Sequence, residues 1–269
     1  MSKSRTRNQP NSQGRPNNDR AARKAPKSAG KSGHGSGLGW LWGQHPVEAA
    51  LANPRRRLKR LIATKNAASR LGAHAKSAED ISPGEIGAIL PAGAVHQGIA
   101  AQFEPLPDVA LEDLIGQNIN RIVILDQVSD PHNLGAIFRS AAAFGFGGLV
   151  LQTRNAPPIS GVVAKAAVGA IETVTECRVV NIARSIETLN DAGYHTIGLA
   201  GSGRNTIDKA SSGAPKVAIV LGAEGPGLRP AVAKACAELA RIAIDGAMES
   251  LNVSNAAAIA FYETARGNA

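Results

Sequence analysis

Aromatic residues are scarce in this 269-residue chain, where Phe, Trp and Tyr together make up 3%. Hydrophobic residues still account for 43%, so Ala, Val, Ile and Leu must fill the core. Cysteine is nearly absent: Cys177 and Cys236 are the two present, without CxxC spacing. That excludes a disulfide framework or a cysteine metal cage and leaves reduced, structural thiols. No apolar run approaches the roughly 20 residues needed to span a bilayer, so no membrane partner is expected. The N-terminus is polar and basic with no apolar stretch of signal type, and the expected location is cytoplasmic. The six histidines are scattered, no His/Cys/carboxylate cluster has ligand spacing, and no metal is expected. His45 and His96 stand alone and read as structural hydrogen-bonding residues. A GxGxxG fingerprint is also missing. Gly198-Leu-Ala-Gly201-Ser-Gly203 has the wrong spacing and no helix directly after it, which argues against a nicotinamide-nucleotide oxidoreductase.

What the chain has in excess is positive charge, and that charge is concentrated at one end. The formal net charge is +9. Residues 1–38 carry nine Lys or Arg against one acidic residue, Asp19, leaving 21 basic and 20 acidic residues in the remainder. The same segment is rich in Ser, Asn, Gly and Pro and cannot bury enough surface to offset its ordering entropy, so it is expected to be disordered. A mobile polycation can tether RNA without reading sequence; a solubilising tail is the plainer alternative. Ala25-Pro-Lys-Ser-Ala-Gly30-Lys31-Ser32 meets a loose Walker A pattern, but no apolar strand precedes it and no helix follows, so it reads as chance.

Three further segments follow. Residues 39–105 form a first folded unit, with a helix at Pro46-Val-Glu-Ala-Ala-Leu, a strand at Leu58-Lys-Arg-Leu-Ile-Ala-Thr and another starting near Val95. Within it Arg55-Arg-Arg-Leu-Lys-Arg60 packs five charges into six residues, either a solvated loop or a phosphate-contacting surface. Residues 106–118 are a linker with a short helix at 111–115, and residues 119–269 a second domain. There, strands at 122–126, 148–151, 195–199, 217–221 and 240–244 alternate with helices near 133–144, 160–169, 182–192, 230–237 and 253–265. Continuous apolar strands separated by helices imply an α/β fold with a parallel sheet covered by helices on both faces.

Polar residues gather at three strand ends. Asp126-Gln-Val-Ser-Asp-Pro-His-Asn133 leads from the first strand into a helix carrying Arg139. Val217-Ala-Ile-Val-Leu221 runs into Gly222-Ala-Glu224-Gly-Pro-Gly. Ser250-Leu-Asn252-Val-Ser opens a last helix, Ala256-Ala-Ala-Ile-Ala-Phe, whose small and apolar residues demand burial. Taken singly, Ser250 or Asn252 would cap that helix, Arg139 would be a surface ion pair, and Gly222 would serve turn geometry.

In this order the three motifs resemble those of the SpoU/TrmH family of RNA ribose 2′-O-methyltransferases, over a span from about Gly39 to the C-terminus. The resemblance implies transfer of a methyl group from S-adenosylmethionine to a ribose 2′-hydroxyl of RNA, with a guanosine of 23S ribosomal RNA as the expected target and transfer RNA as the alternative. It implies a small L30e-like α/β domain for substrate binding, a C-terminal trefoil knot, and a homodimer. Asn133, Arg139, Glu224, Ser250 and Asn252 match the catalytic positions. Leu221, Gly222, Ile244 and Leu251 match the cofactor-contacting ones, and Leu199, Ala200 and Gly201 would line the same pocket. Arg139 would stabilise the developing alkoxide, oriented by a bidentate pair with Glu224. Six residues of ideal helix turn the chain by about 600°, so Asn133 is expected in the turn before the helix that carries Arg139. Met248 and Glu249 depart from the family's small polar residues and bear on target preference. A catalytically silent RNA-binding protein of the same fold is the other reading.

Overall fold

The computed structural model describes residues 39–245 and 250–267; the basic tail 1–38 and Met248-Glu249 lie outside them. The first sheet is built by β1 (Trp40–Trp42), α1 (Gln44–Ala52), β2 (Leu58–Ala63), α2 (Lys65–Ala68), β3 (Glu79–Asp80), α3 (Pro83–Ile89) and β4 (Ile99–Phe103). Its order is β1-β4-β2-β3, with β4 antiparallel to β1 and β2, and β2 parallel to β3. Ser82 and Glu85 form a capping box at the start of α3, with Pro83 in the first turn, where its missing N–H costs nothing. Trp40, Trp42, Ile62, Ile86, Leu90 and Ala100 close over one face.

The second sheet follows α4 (Leu111–Gly116) and contains β5 (Arg121–Leu125), α5 (Pro131–Ala143), β6 (Gly148–Gln152), α6 (Gly161–Ala167), β7 (Thr175–Val179), α7 (Ile182–Asp191) and β8 (His195–Leu199). It continues with β9 (Asn205–Thr206), α8 (Ile207–Ser211), β10 (Val217–Leu221), α9 (Pro230–Ala235), β11 (Glu238–Arg241) and α10 (Val253–Arg266). The seven strands lie in the order β7-β6-β5-β10-β8-β11-β9, every pair parallel. Alternate residues of each strand face opposite sides. Ile122, Ile124, Ala218 and Val220 meet α4, α7 and α9 on one side. Val123, Leu125, Ile219 and Leu221 meet α5, α6, α8 and α10 on the other. Both faces are covered, as the apolar strand pattern requires.

Two expectations need correction. The strand read at 240–244 spans Glu238–Arg241 instead. It pairs with β8 through Glu238, Leu239 and Ala240 and with β9 through Ala240 and Arg241, and among the described residues the pairing stops there. β7 escaped the apolar pattern altogether because it is an edge strand. Of Thr175–Val179 only Cys177 is buried, and Glu176 and Arg178 pair with each other at 2.6 Å.

The two sheets share a continuous core, and their junction explains the arginine run. Trp42 lies on the first residue of α6: a Cβ at Gly161 would sit 1.9 Å from the indole ring, so only glycine fits. Arg56 is not a phosphate contact. Its guanidinium donates to both carboxylate oxygens of Glu172 at 2.9–3.2 Å, with both side chains under a tenth exposed. Asn53 Nδ2 adds a bond to Glu172 Oε2 at 2.6 Å, and Arg55 reaches the Glu172 carbonyl oxygen. Arg60 pairs with Glu79 on the surface. Across the same junction Lys165 Nζ donates to Val95 O at 2.7 Å and Gln97 Oε1 at 3.1 Å, while His96 Nδ1 accepts from Gly98 N–H. A buried pair with one partner removed strands the other charge. Arg56→Ala is therefore expected to lower the unfolding free energy by about 3–5 kcal/mol in urea titration; a loss below about 1 kcal/mol would show Glu172 to be solvated.

Both cysteines are free thiols. Burial, foremost, pushes Cys177 up to about 11 and Cys236 up to about 12, and Cys236 Sγ donates to Val232 O. Thiolate is the reactive form, so at pH 8 neither thiol should react with a disulfide reagent in the native protein. Both should react once it is unfolded; rapid native labelling of either would contradict this burial.

Candidate active site

Because β5, β8 and β10 are parallel and adjacent, their carboxyl ends open at one edge of the sheet, the place where ligands bind to open α/β sheets. Three segments meet there. Asp130 caps α5 by accepting the Asn133 amide at 2.8 Å, which fixes Asn133 in the first turn of the helix. Beyond β10, residues 222–228 close a tight loop in which the Gly227 amide donates to Ala223 O at 3.0 Å. A side chain at Gly222 would collide with the backbone of Gly227 and Leu228 at 2.2–2.4 Å, so this position admits only glycine. The third segment is the start of α10, capped by Asn252 Oδ1, which accepts from the Ser254 amide at 2.9 Å and hydroxyl at 2.6 Å.

One carboxylate oxygen joins them. Glu224 Oε1 accepts from Asn133 Nδ2 at 3.0 Å, from Asn252 Nδ2 at 2.6 Å and from the Val253 amide at 3.4 Å. Asn252 Nδ2 also donates to Asn133 Oδ1 at 3.1 Å. Glu224 and Asn252 are exposed and Asn133 half-buried, so this polar cluster stands at the rim and can meet a ligand. Its members are 91 and 28 residues apart along the chain.

Arg139 is elsewhere. Glu224 is bonded to the two asparagines, and among the described residues Arg139 makes no ion pair with it. Asn133 is inside α5 rather than in the turn before it, so Arg139 lies about 120° round the helix and about 1.7 turns along, exposed. Of the remaining positions, Leu221 is buried at the end of β10, Leu199 is the last residue of β8, and Ala200 and Gly201 follow it. Gly201 has nothing within 4 Å of its side-chain position, leaving its backbone open to a ligand. Leu251 is half-buried and Ser250 exposed beside Asn252, whereas Ile244 is 41% exposed beyond the end of β11. Among the described residues, no group of three or more His, Cys, Asp or Glu is arranged to hold a metal, and no helix is long and apolar enough to cross a membrane.

Sequence reasoning missed Asp126 and Arg229. Asp126 is fully buried at the end of β5 and pairs with Arg229 at 2.6 Å. The available signal was an acidic residue directly after four apolar strand residues, a place where a charge needs a partner.

Residues 120–262 match the model of the SpoU rRNA Methylase family, and residues 40–109 match that for RNA 2'-O ribose methyltransferase substrate binding. The chain is 41% identical over 178 residues to an uncharacterized tRNA/rRNA methyltransferase of Synechocystis sp., covering 64% of this chain and 46% of that one, so it spans about half the relative's length. It is 39% identical over 178 residues to the 23S rRNA (guanosine-2'-O-)-methyltransferase RlmB of Vibrio vulnificus, covering 65% and 72%. Among solved structures, the AdoMet-bound rRNA methyltransferase of Sinorhizobium meliloti superposes with a TM-score of 0.72 at 26% identity, over 84% of this chain and 86% of that one.

Replacing Asn252 removes the α10 cap and two bonds of the cluster together. Asn252→Ala should cost about 1–2 kcal/mol of stability by chemical denaturation, and a change below about 0.3 kcal/mol would mean that the cluster is not formed in solution.

Proposed function

Since the chain belongs to the SpoU rRNA Methylase family, we propose that it transfers a methyl group from S-adenosylmethionine to a ribose 2′-hydroxyl of RNA, a guanosine of large-subunit ribosomal RNA. The observation that carries this is the Asn133–Glu224–Asn252 cluster, assembled from all three polar strand ends at the carboxyl edge of the sheet. The printed function of the Vibrio relative supports the ribosomal target, and the AdoMet-bound Sinorhizobium protein supports the cofactor. In the cell this reading places the protein in the cytoplasm.

The residues present fit that cofactor. Leu221 ends β10 and Gly222 follows it, beside Leu199 at the end of β8 and Ala200 and Gly201 just after, and the open backbone at Gly201 permits close approach. Ile244 and Leu251 would close the pocket from the last segment. S-adenosylmethionine supplies an activated methyl group on a sulfonium. Glu224 holds the two asparagine amides, whose remaining capacity orients the ribose, with Ser250 beside them. Arg139 acts electrostatically: a guanidinium stays charged in proteins and favours the alkoxide form of the 2′-oxygen.

Arg139 is turned about 120° away from Asn133 round α5 and makes no ion pair with Glu224 among the described residues, which favours a homodimer in which another chain supplies the guanidinium. The packed pair α5 and α10 exposes Ala142, Ala143, Ile259 and Tyr262, with Tyr262 edge-on to Phe144 at 5.9 Å. We read a second copy covering this face as the source of the guanidinium that the cluster lacks. We also read residues 39–105 as an L30e-like substrate-binding domain, 106–118 as its linker and 119–269 as the catalytic domain. The last segment forms a trefoil knot. This is supported by the turn after β8 lying directly on β11, where a Cβ at Gly203 would sit 2.4 Å from the Ala240 backbone. It is supported too by the return of α10 to pack on α5.

Labelled cofactor incubated with undermethylated large-subunit RNA should give incorporation, with transfer RNA as the comparison arm. Arg139→Ala should lower kcat about 10²- to 10³-fold while leaving cofactor binding unchanged, and sedimentation should give a dimer. Absence of both incorporation and cofactor binding would overturn the reading; a fully active Arg139→Ala variant would remove that residue from the site.

A further inference from the structure

We propose that Asp126 and Arg229 are positioning residues that staple both ends of the 222–228 loop, and so set the geometry in which Glu224 and Gly222 meet their ligands. The proposal deepens the functional reading above and rests on it for the identity of the ligand. Asp126 is 0% exposed, yet its backbone amide and both carboxylate oxygens are used at the ends of this loop. Its backbone amide donates to Leu221 O at 2.8 Å, holding the chain where the loop leaves β10. Its carboxylate accepts at the other end: Oδ2 from the Arg229 amide at 3.1 Å, and both oxygens from Arg229 Nε at 2.9 and 3.2 Å. Arg229 Nη2 completes the fork with Oδ1 at 2.6 Å.

Between these anchors the loop has little freedom. Gly222 presses on the backbone of Gly227 and Leu228, and Gly227 is bonded back to Ala223, leaving Glu224 at the projecting tip. Four residues after Asp126, Asp130 caps the helix that presents Asn133. A single buried carboxylate therefore stands where the turn that carries Asn133 and the loop that carries Glu224 leave the sheet. Stability alone does not explain it: the Arg229 side chain is 41% exposed, and replacing a buried charge together with its partner by well-packed apolar residues is often neutral or stabilising. Geometry does: a planar guanidinium fork fixes direction as well as distance, which an apolar contact or an ammonium does not.

The test uses the full chain carrying either Arg229→Lys or the double change Asp126→Leu with Arg229→Met, which removes both charges and strands neither. Hydrogen exchange is measured on cofactor-free protein, followed by calorimetric binding of S-adenosylmethionine. In both variants the amides of 222–228 should exchange about tenfold faster while β5 and β10 keep their protection, and cofactor Kd should rise about tenfold, the loss of roughly one charge-assisted hydrogen bond. Unchanged exchange and unchanged Kd in a folded variant would overturn the staple. Should the double variant fail to fold, Arg229→Lys, which keeps the charge, decides. If the parent chain binds no cofactor, the functional reading fails while the exchange data still decide the staple.

Discussion

Everything at the rim depends on the strand order. A single oxygen of Glu224 can collect donors from residues 133, 252 and 253 only because β10 lies between β5 and β8 with all three parallel. Reversing any one strand would send its polar end to the opposite edge. The parallel arrangement in turn requires crossovers on both faces, which is why the helices divide into two sets and why strand residues are apolar on both sides.

The scarcity of aromatic residues has a counterpart in how closely the elements approach. Gly135 on α5 faces the α6 backbone at a distance where a Cβ would be 2.6 Å from Val163 O, and Ala141, Ala164, Ala167, Ala257 and Ala260 fill the same side of the sheet. Small side chains let α5, α6 and α10 crowd against one face, and that crowding brings the start of α10 to the start of α5. The few large rings are spent where bulk is needed: Phe146 on Phe261 at 4.4 Å inside the domain, and Trp42 at the junction of the sheets.

Charge is used in two distinct ways. The buried charges are structural and paired: Arg56 with Glu172 between the sheets, and Asp126 with the half-exposed guanidinium of Arg229 beside the glycine loop. The Glu224 cluster and Arg139 lie at the surface, where a ligand can reach them. Arginine runs in the sequence therefore carry no single meaning, since Arg56 is interior while its neighbour Arg57 is exposed.

Local sequence determined the elements and the polar strand ends: apolar runs set β5, β8 and β10, Asp130-Pro131 began α5, and the 222–228 glycines required a tight loop. It was the resemblance of the three motifs to the SpoU/TrmH family that grouped Asn133, Arg139, Glu224, Ser250 and Asn252, and of these the fold joins Asn133, Glu224 and Asn252 by hydrogen bonds. Edge strand β7, the end of β11 and the Asp126–Arg229 pair were not legible, since each depends on which strand or side chain lies opposite rather than on its own neighbours. The partner of Glu224 was likewise decided by tertiary structure. Sequence pattern specified a carboxylate at a turn, but the rotation of α5 about its axis, set by packing Leu134, Ile137, Phe138 and Ala141 into the core, turned Asn133 toward it and Arg139 away.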